Sequence, residues 1–569
     1  MKRVLSFLKP QTGRTAVQIF LKFTATLVEL FLPWILEHII DVVAPTGQKT
    51  QLVLWGGLML LCALAAFFGA VIANRMAAKI AAEFTRSLRR TLFSRITRLP
   101  FRDVDRFTVP SLISRVSTDT YHVNDMIDRM LRLGIRAPIL LLGGLLVCAL
   151  MEPVLTLILL AALPLLGGLL VLISRRSIPL YAKAQEASEN LVRRIQENMT
   201  GVRLIRALSK SGFETERFAE TNRDVVRTEQ KAEVTMAAAN PLMTVFLNVG
   251  MAAVIVVGAF RVRAGATEPG KIIAFLNYFT ILLNGLIGIT RIFTICSKGI
   301  ASGKRIEEVL NTPLAEPEIA DAAPAPDAPH IAFSDVSFSY NKVAENLSHL
   351  SVTLERGQTL GIIGPTGSGK STVLRLLLGF YRPDSGTVSI DGKPVSAYDE
   401  AELHQKFGAV FQNDFLYADE IRENIDFARA VTDADREEAI RVAQAGFWND
   451  LPDGLDTVLS ERGMNLSGGQ RQRLLIARAL AAKPEILLLD DCSSALDYQT
   501  DAAFRKALRQ AFSGTTTVIV AQRVSSIRWA DKILMLDEGR VLGCGTHEQL
   551  LASCEAYRAI CREQMGVAA

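Results

Sequence analysis

Apolar positions fall into two regimes along the chain. Before residue 300 they form long runs, and after residue 330 they form short ones separated by polar turns. A membrane span needs about 20 mainly apolar residues. Four uncharged stretches meet or nearly meet this length: 52–74, 154–174, 234–260 and 272–290. A fifth, 137–151, is short but extends backward along its helix through 131–136. A sixth, 15–43, is long and apolar yet carries Lys22, Glu29, Glu37 and His38. Counting both gives six spans. The segments 75–136 and 175–233 are too long and too polar to be turns between spans. They keep apolar residues at helical spacing with charges between, so they read as helices projecting beyond the membrane, each broken near its middle, around 107–110 and around Gly212. Residues 311–330 are dense in Pro and Ala, a composition that favours an extended linker over a packed core.

This pattern divides the chain into a transmembrane domain (1–310), the linker (311–330) and a second domain (331–569), with no internal repeat. Composition adds little by itself: of 569 residues 49% are apolar and 21% charged, against about 25% charged in soluble domains. Charge placement adds more. Lys2, Arg3, Lys9 and Arg14 precede the first span, Arg75, Lys79, Arg86, Arg89 and Arg90 follow the second, and Arg175 and Arg176 follow the fourth. Positive charge collects on the cytoplasmic side, so both termini and the second domain are expected inside, at a cell membrane. Arg261, Arg263 and Lys271 dissent, falling on the outer side. A net charge of +5 without a basic stripe gives no footprint for nucleic acid. The seven cysteines are scattered without a short-spaced pair, which reads as reduced structural thiols rather than a zinc site. The N-terminus lacks the pattern of a cleaved signal peptide. Intramembrane carboxylates are costly and face interiors or cavities. Glu29 therefore reads either as a substrate-cavity acid favouring cations or as an interior residue paired with a neighbouring helix, and Asn277, Asn284 and Arg291 raise the same question.

The second domain carries the chemistry. The apolar run beginning at Thr359 reads as a buried strand leading into Gly364, Pro365, Thr366, Gly367, Ser368, Gly369, Lys370, Ser371 and Thr372, and then into a helical pattern. This is a phosphate-binding P-loop in its strand–loop–helix context. Its glycines let backbone N–H groups turn toward phosphates at a helix N-terminus. Lys370 would reach the β- and γ-phosphates, and the Ser371 hydroxyl would help hold Mg²⁺. Ile486-Leu-Leu-Leu-Asp490 reads as a strand ending in the second Mg²⁺ anchor.

Just ahead of that strand lies Leu466, Ser467, Gly468, Gly469 and Gln470, followed by Arg-Gln-Arg. With the P-loop, this resembles the ATPase of ABC transporters. The membrane half resembles the six-helix exporter type of that family: residues 101–120, with Leu112-Ile-Ser-Arg-Val and Asp119, and Glu197-Asn-Met-Thr-Gly-Val-Arg203 followed by 213–218, are similar to its two cytoplasmic coupling loops. The resemblance implies a membrane α-helical bundle of six long transmembrane helices, of the domain-swapped exporter type, joined to an α/β P-loop ATPase domain. It also implies roles. Tyr340 would stack on adenine. Gln412 would contact Mg²⁺ and the attacking water. Ser460-Glu-Arg-Gly463 would touch the coupling helices, Ser494-Ala-Leu-Asp497 would cross a dimer interface, and Ser467, Gly468 and Gly469 would act on ATP bound to a partner chain. Cofactors are then ATP and Mg²⁺. The expected partners are a second half-transporter subunit, the lipid membrane, and a small-molecule, lipid or peptide substrate.

Two positions depart from the family pattern. Its general base is a Glu directly after the Mg²⁺-binding Asp; here that position is Asp491, one methylene shorter. Its switch His is here Gln522, an amide that cannot titrate near neutral pH. Together they imply a degenerate site, in a chain that binds ATP durably, hydrolyses it slowly, and pairs with a different subunit carrying the intact Glu and His. The alternatives are a homodimeric exporter with two sluggish sites, an importer of a siderophore-like substrate in the same fold, and a non-transporting ATP-dependent sensor.

Overall fold

The computed structural model describes residues 1–314, 328–492 and 495–565. The expected linker falls mostly on 315–327, outside the described residues. The chain forms two compact units, one of residues 1–97 with 110–312 and the other of 98–109 with 313–569.

The first unit is helical. Its long elements are Thr12–His38, Lys49–Ile96, a stretch ending in Ile135–Met151, Pro153–Thr200, Ser211–Ala237 continuing into Ala239–Arg263, and Pro269–Asn311. Five of these stretches, 2–46, 49–96, 109–151, 153–200 and 211–263, contain a window long and apolar enough to cross a membrane, among the described residues. The sixth, 269–311, runs 43 residues and packs its first half into the apolar core. Proline opens two of the helices, at Pro153 and Pro269, where the missing N–H costs nothing. The Asp41 carboxylate accepts from the backbone N–H groups of Gly270 (2.6 Å) and Lys271 (3.0 Å), satisfying orphan donors at the start of the last helix.

The core of this unit gathers Leu30, Leu140, Cys148, Leu155, Val254, Phe275, Tyr278, Phe279 and Leu282. Glycine lets helices approach closely, the usual device where lipid removes any hydrophobic drive between them. A Cβ at Gly250 would lie 2.5 Å from the Phe279 ring, and one at Gly144 3.1 Å from Leu282. Leu150, Val53 and Leu142 are more than two-thirds exposed, an apolar outer face fit for lipid.

Several polar side chains in this unit are paired. Glu29 forms an ion pair with Arg136 at 2.6 Å, and the buried Lys22 donates to Asn74 Oδ1 at 3.1 Å. Glu29 thus has the neighbouring-helix partner that one of its two readings expects. Asn277 donates to the Ile273 carbonyl of its own helix at 3.0 Å. The Arg291 side chain lies outside the described residues. Of the cations that dissent from the expected charge bias, Arg261 pairs with the buried Glu152 at 2.9 Å and Lys271 lies 3.7 Å from Glu268.

The helical projections differ from expectation in detail. Each is interrupted twice, leaving a short helix between the breaks: Phe101–Phe107, and Val202–Ala207. Thr108 (φ 63°) ends the first and Ser209 (φ 53°) follows the second, each a non-glycine residue at positive φ. Gly212 is therefore not the break; it sits in the first turn of Ser211–Ala237.

The second unit holds two sheets. The antiparallel sheet has order β2-β1-β4-β5, built from β1 (Ile331–Phe338), β2 (Leu347–Leu354), β4 (Ser385–Ile390) and β5 (Lys393–Pro394). The other has order β10-β9-β3-β8-β7-β6, from β3 (Thr359–Ile363), β6 (Phe407–Val410), β7 (Ile486–Asp490), β8 (Thr516–Val520), β9 (Lys532–Asp537) and β10 (Arg540–Gly545). Strands β3, β7 and β8 are buried throughout, as parallel strands covered on both faces must be. Side-chain alternation divides them between two cores. Leu360, Ile362, Leu488, Val518 and Leu534 face one; Leu487, Leu489, Ile519, Ile533 and Met535 face the other.

Candidate nucleotide site

The P-loop runs from the end of β3 into helix Lys370–Leu377. Gly367 (φ 87°) and Gly369 (φ 97°) occupy the left-handed region that side-chain-bearing residues avoid. A Cβ on Gly369 would lie 2.6 Å from the Asn346 carbonyl, so only glycine fits there. Lys370 Nζ donates to the carbonyls of Gly364 (2.9 Å) and Pro365 (2.6 Å). Burial lowers its pKa, while the charges of Asp490 and Asp491 act in the opposite sense.

The order of strands in the sheet brings the remaining groups to the loop. β7 lies one strand removed from β3, with β8 between them, and Asp490 at its end accepts a hydrogen bond from Ser371. A serine hydroxyl beside a carboxylate is a hard-oxygen donor pair suited to Mg²⁺. Burial pushes the Asp490 carboxyl above its usual range, offset in part by Ser371, Arg375 and Lys370. Asp491 follows at φ 51°, its N–H donating to Val520 of the parallel neighbour at 2.9 Å. That pairing places it beside Gln522, whose Nε2 donates to Asp491 Oδ2 at 2.7 Å. Burial first, and the Asp490 charge second, raise the Asp491 pKa, and the Gln522 hydrogen bond opposes them.

A buried acid beside a half-buried one has a consequence for stability. A carboxyl whose pKa is raised by folding contributes stability that is present below its unfolded pKa and is lost as pH rises through the folded value. At neutral pH, without Mg²⁺, the ionised pair is a net cost. Asp490→Asn is therefore expected to raise the apparent melting temperature in chelator at pH 7, with a gain that shrinks toward acid pH, and to abolish stabilisation by Mg²⁺ with ATP. Thermal unfolding across pH checks this, and a lower midpoint at pH 7 would contradict it.

Tyr340 follows β1 and is held by its hydroxyl, which donates to Thr372 Oγ1 (3.3 Å) and accepts from Arg375 (2.9 Å), tying it to the P-loop helix. Arg375 and the neighbouring Tyr381 carry no motif, and sequence reasoning missed both. The C-terminal helix Glu555–Met565 was missed as well. Its Gln564 donates to the Gln522 carbonyl and accepts from the Val524 N–H, both at 2.8 Å, clamping the loop that carries Gln522.

The other expected residues lie elsewhere in this unit. Gln412 follows β6 and is exposed. Ser467 caps helix Gly468–Leu480 in a reciprocal capping box: Gln470 N–H donates to Ser467 Oγ (3.2 Å), and Ser467 N–H to Gln470 Oε1 (2.9 Å). Leu466 is buried beneath that turn, while Gly468 has open space where a side chain would project. In Ser460-Glu-Arg-Gly463 the chain turns through Arg462 (φ 59°) and Gly463 (φ 62°). Ser494 lies outside the described residues; Asp497 caps helix Tyr498–Ala511 by accepting from the Thr500 N–H at 2.9 Å.

A P-loop facing a strand-end acid pair, in one chain with a bundle of apolar helices, defines a membrane-bound ATP-binding protein. The comparisons with known proteins carry this to the family. Residues 15–286 match the ABC transporter transmembrane region and residues 347–494 match the family described as ABC transporter. The chain is 32% identical to the uncharacterized ABC transporter ATP-binding protein YfiB of Bacillus subtilis, over 100% of this chain and 99% of that one. It is 33% identical to YknU of the same organism, described in the same words, over 94% and 92%. The structure of a bacterial Atm1-family ABC exporter with ATP bound superposes with a TM-score of 0.82 at 25% identity, covering 99% of both chains. The chain belongs to the ABC transporter family and has the architecture of an exporter-type half-transporter, a multi-pass membrane protein with an ATPase domain.

Proposed function

We propose that this chain is one half of a heterodimeric exporter, holding ATP and Mg²⁺ at its own P-loop while turning the nucleotide over slowly. Its signature, 466–470, would complete the active site of a dissimilar subunit that carries the intact Glu and His. The observation that carries the proposal is the Gln522–Asp491 hydrogen bond: the two departures from the family pattern touch each other. Mg²⁺ would neutralise charge on the β- and γ-phosphates. Ser371 and Asp490 would hold it, and Lys370 would turn from its loop carbonyls to the phosphates. Asp491 would then be the base, and two effects compete over its strength. Burial and Asp490 raise its pKa, which favours proton abstraction. Against this, the shorter side chain withdraws its carboxylate by about an ångström, and misplacement of about 1 Å costs about 100-fold in rate. The bond from Gln522 also stabilises the charged form and so weakens the base. Geometry wins.

The exported substrate is proposed to be amphipathic or hydrophobic: a drug, lipid or peptide. Neutralisation of Glu29 by Arg136 supports a bundle without a free acid at that level. The termini and the ATPase domain are proposed to be cytoplasmic, in line with the charges flanking the spans. The likeness to an exporter solved with ATP bound supports the nucleotide assignment. Purified alone in lipid nanodiscs, the full chain is expected to bind ATP tightly and to hydrolyse it far more slowly than when co-purified with its native partner. Strong turnover by the chain alone, abolished by Asp491→Asn, would overturn the heterodimer reading.

A further inference from the structure

Tyr340 needs only its ring face and its hydroxyl partners to serve as an adenine platform, yet a second tyrosine packs behind it. Tyr381 meets Tyr340 edge to face, with ring centroids 5.0 Å apart and planes at 88°. Phe338 closes the group, 4.8 Å from Tyr340 and 5.6 Å from Tyr381. The Tyr381 hydroxyl donates to Asp105 on the short helix Phe101–Phe107. On the same helix Phe101 stacks on Phe380 at 4.0 Å and 21°.

We propose that Tyr381 is a positioning residue that ties nucleotide occupancy at Tyr340 to the seating of helix Phe101–Phe107. The proposal rests on the reading of Tyr340 as the adenine platform. A base stacked on Tyr340 fixes that ring, and an edge-to-face partner at this distance has a preferred orientation of its own. Fixing Tyr381 in turn fixes the hydroxyl that Asp105 accepts. Burial and the Asp105 charge push the Tyr381 pKa above the usual tyrosine range, so the hydroxyl remains a donor at physiological pH. Helix Phe101–Phe107 follows Lys49–Ile96 after only four residues, so an ordering of the short helix passes directly into the chain that leads to the membrane. Coupling of this kind requires no change of shape; one ligand orders what a second event would otherwise have to order.

Amide hydrogen exchange of residues 101–108, measured on the full chain in nanodiscs with and without Mg²⁺ and ATP, tests this beside ATP affinity read by displacement of a fluorescent ATP analogue. In the native chain ATP is expected to slow exchange about 5-fold or more. Tyr381→Phe, which keeps the ring and removes one hydroxyl, is expected to lose most of that slowing even at saturating ATP, with ATP affinity falling by no more than the same factor, about 5-fold, because such coupling is reciprocal. Asp105→Ala should reproduce the loss. Undiminished slowing in Tyr381→Phe would overturn the proposal. So would a fall in ATP affinity much larger than the lost slowing, because Tyr381 would then only shape the pocket. Tyr340→Ala separates the two readings: unchanged ATP affinity there would remove the adenine platform itself, and the relay with it, while leaving the P-loop assignment intact.

Discussion

The double variant Asp491→Glu with Gln522→His is expected to raise ATP turnover by the purified chain about 100-fold, with each single change giving much less. The expectation follows from the contact between the two side chains. Asp491 begins directly beyond the end of β7, and its backbone is fixed by the Val520 carbonyl. The carboxylate can reach further only by gaining a methylene. Lengthening it alone would leave the Gln522 amide donating to it, so the added reach would be partly directed at position 522 and not toward the phosphate. Histidine at 522 supplies a group that can titrate near neutral pH, which an amide cannot. Residues acting as a unit give non-additive effects, and the double variant should exceed the product of the singles. Steady-state turnover beside ATP affinity measures this. An unchanged rate in a double variant that still binds ATP would place the slow step elsewhere and remove the argument for a degenerate site.

Lys370→Ala should lower ATP affinity at this chain about 10- to 100-fold without unfolding it. A hydrogen bond to a charged group contributes about 1.5–3 kcal/mol, and about 1.4 kcal/mol is tenfold in affinity. Loss of fold is not expected, because burial already disfavours the Lys370 charge and its partners within the protein are two carbonyls of its own loop. Equilibrium nucleotide binding and thermal unfolding of the same preparation separate the two effects. Affinity within about twofold of the native chain would mean that the loop backbone, not the lysine, grips the phosphates.

The P-loop was legible because its glycines are demanded by local backbone geometry, and local geometry is what a sequence window records. Gly369 is glycine because φ is 97° and because the Asn346 carbonyl is too close for any side chain. The long apolar helices were legible for the same reason: length and composition suffice. Contacts between distant positions were not. Arg136 meets Glu29 across 107 residues, and nothing in either neighbourhood names the other. Asp491 and Gln522 were each singled out, but their contact depends on β7 and β8 being parallel neighbours with Asp490 opposite Val520, a register that no single segment carries. The short helices Phe101–Phe107 and Val202–Ala207 were implied only by the family resemblance of their loops; six or seven residues are too few for periodicity to define, and Thr108 and Ser209 adopt positive φ without the glycine that would have marked it. Tyr381 left only an aromatic pair after the P-loop helix, a signal shared with ordinary core residues.

The clamp from Gln564 ties helix Glu555–Met565 to the loop that carries Gln522, a residue of the proposed degenerate site. Through two hydrogen bonds the Gln564 amide holds the backbone at residues 522 and 524. A purification handle fused just beyond helix Glu555–Met565, or a protease that nibbles there, would thus disturb a loop that lies far away in sequence but next door in space. Preparations differing only in their tails could report different rates, and the discrepancy would have a mechanical origin.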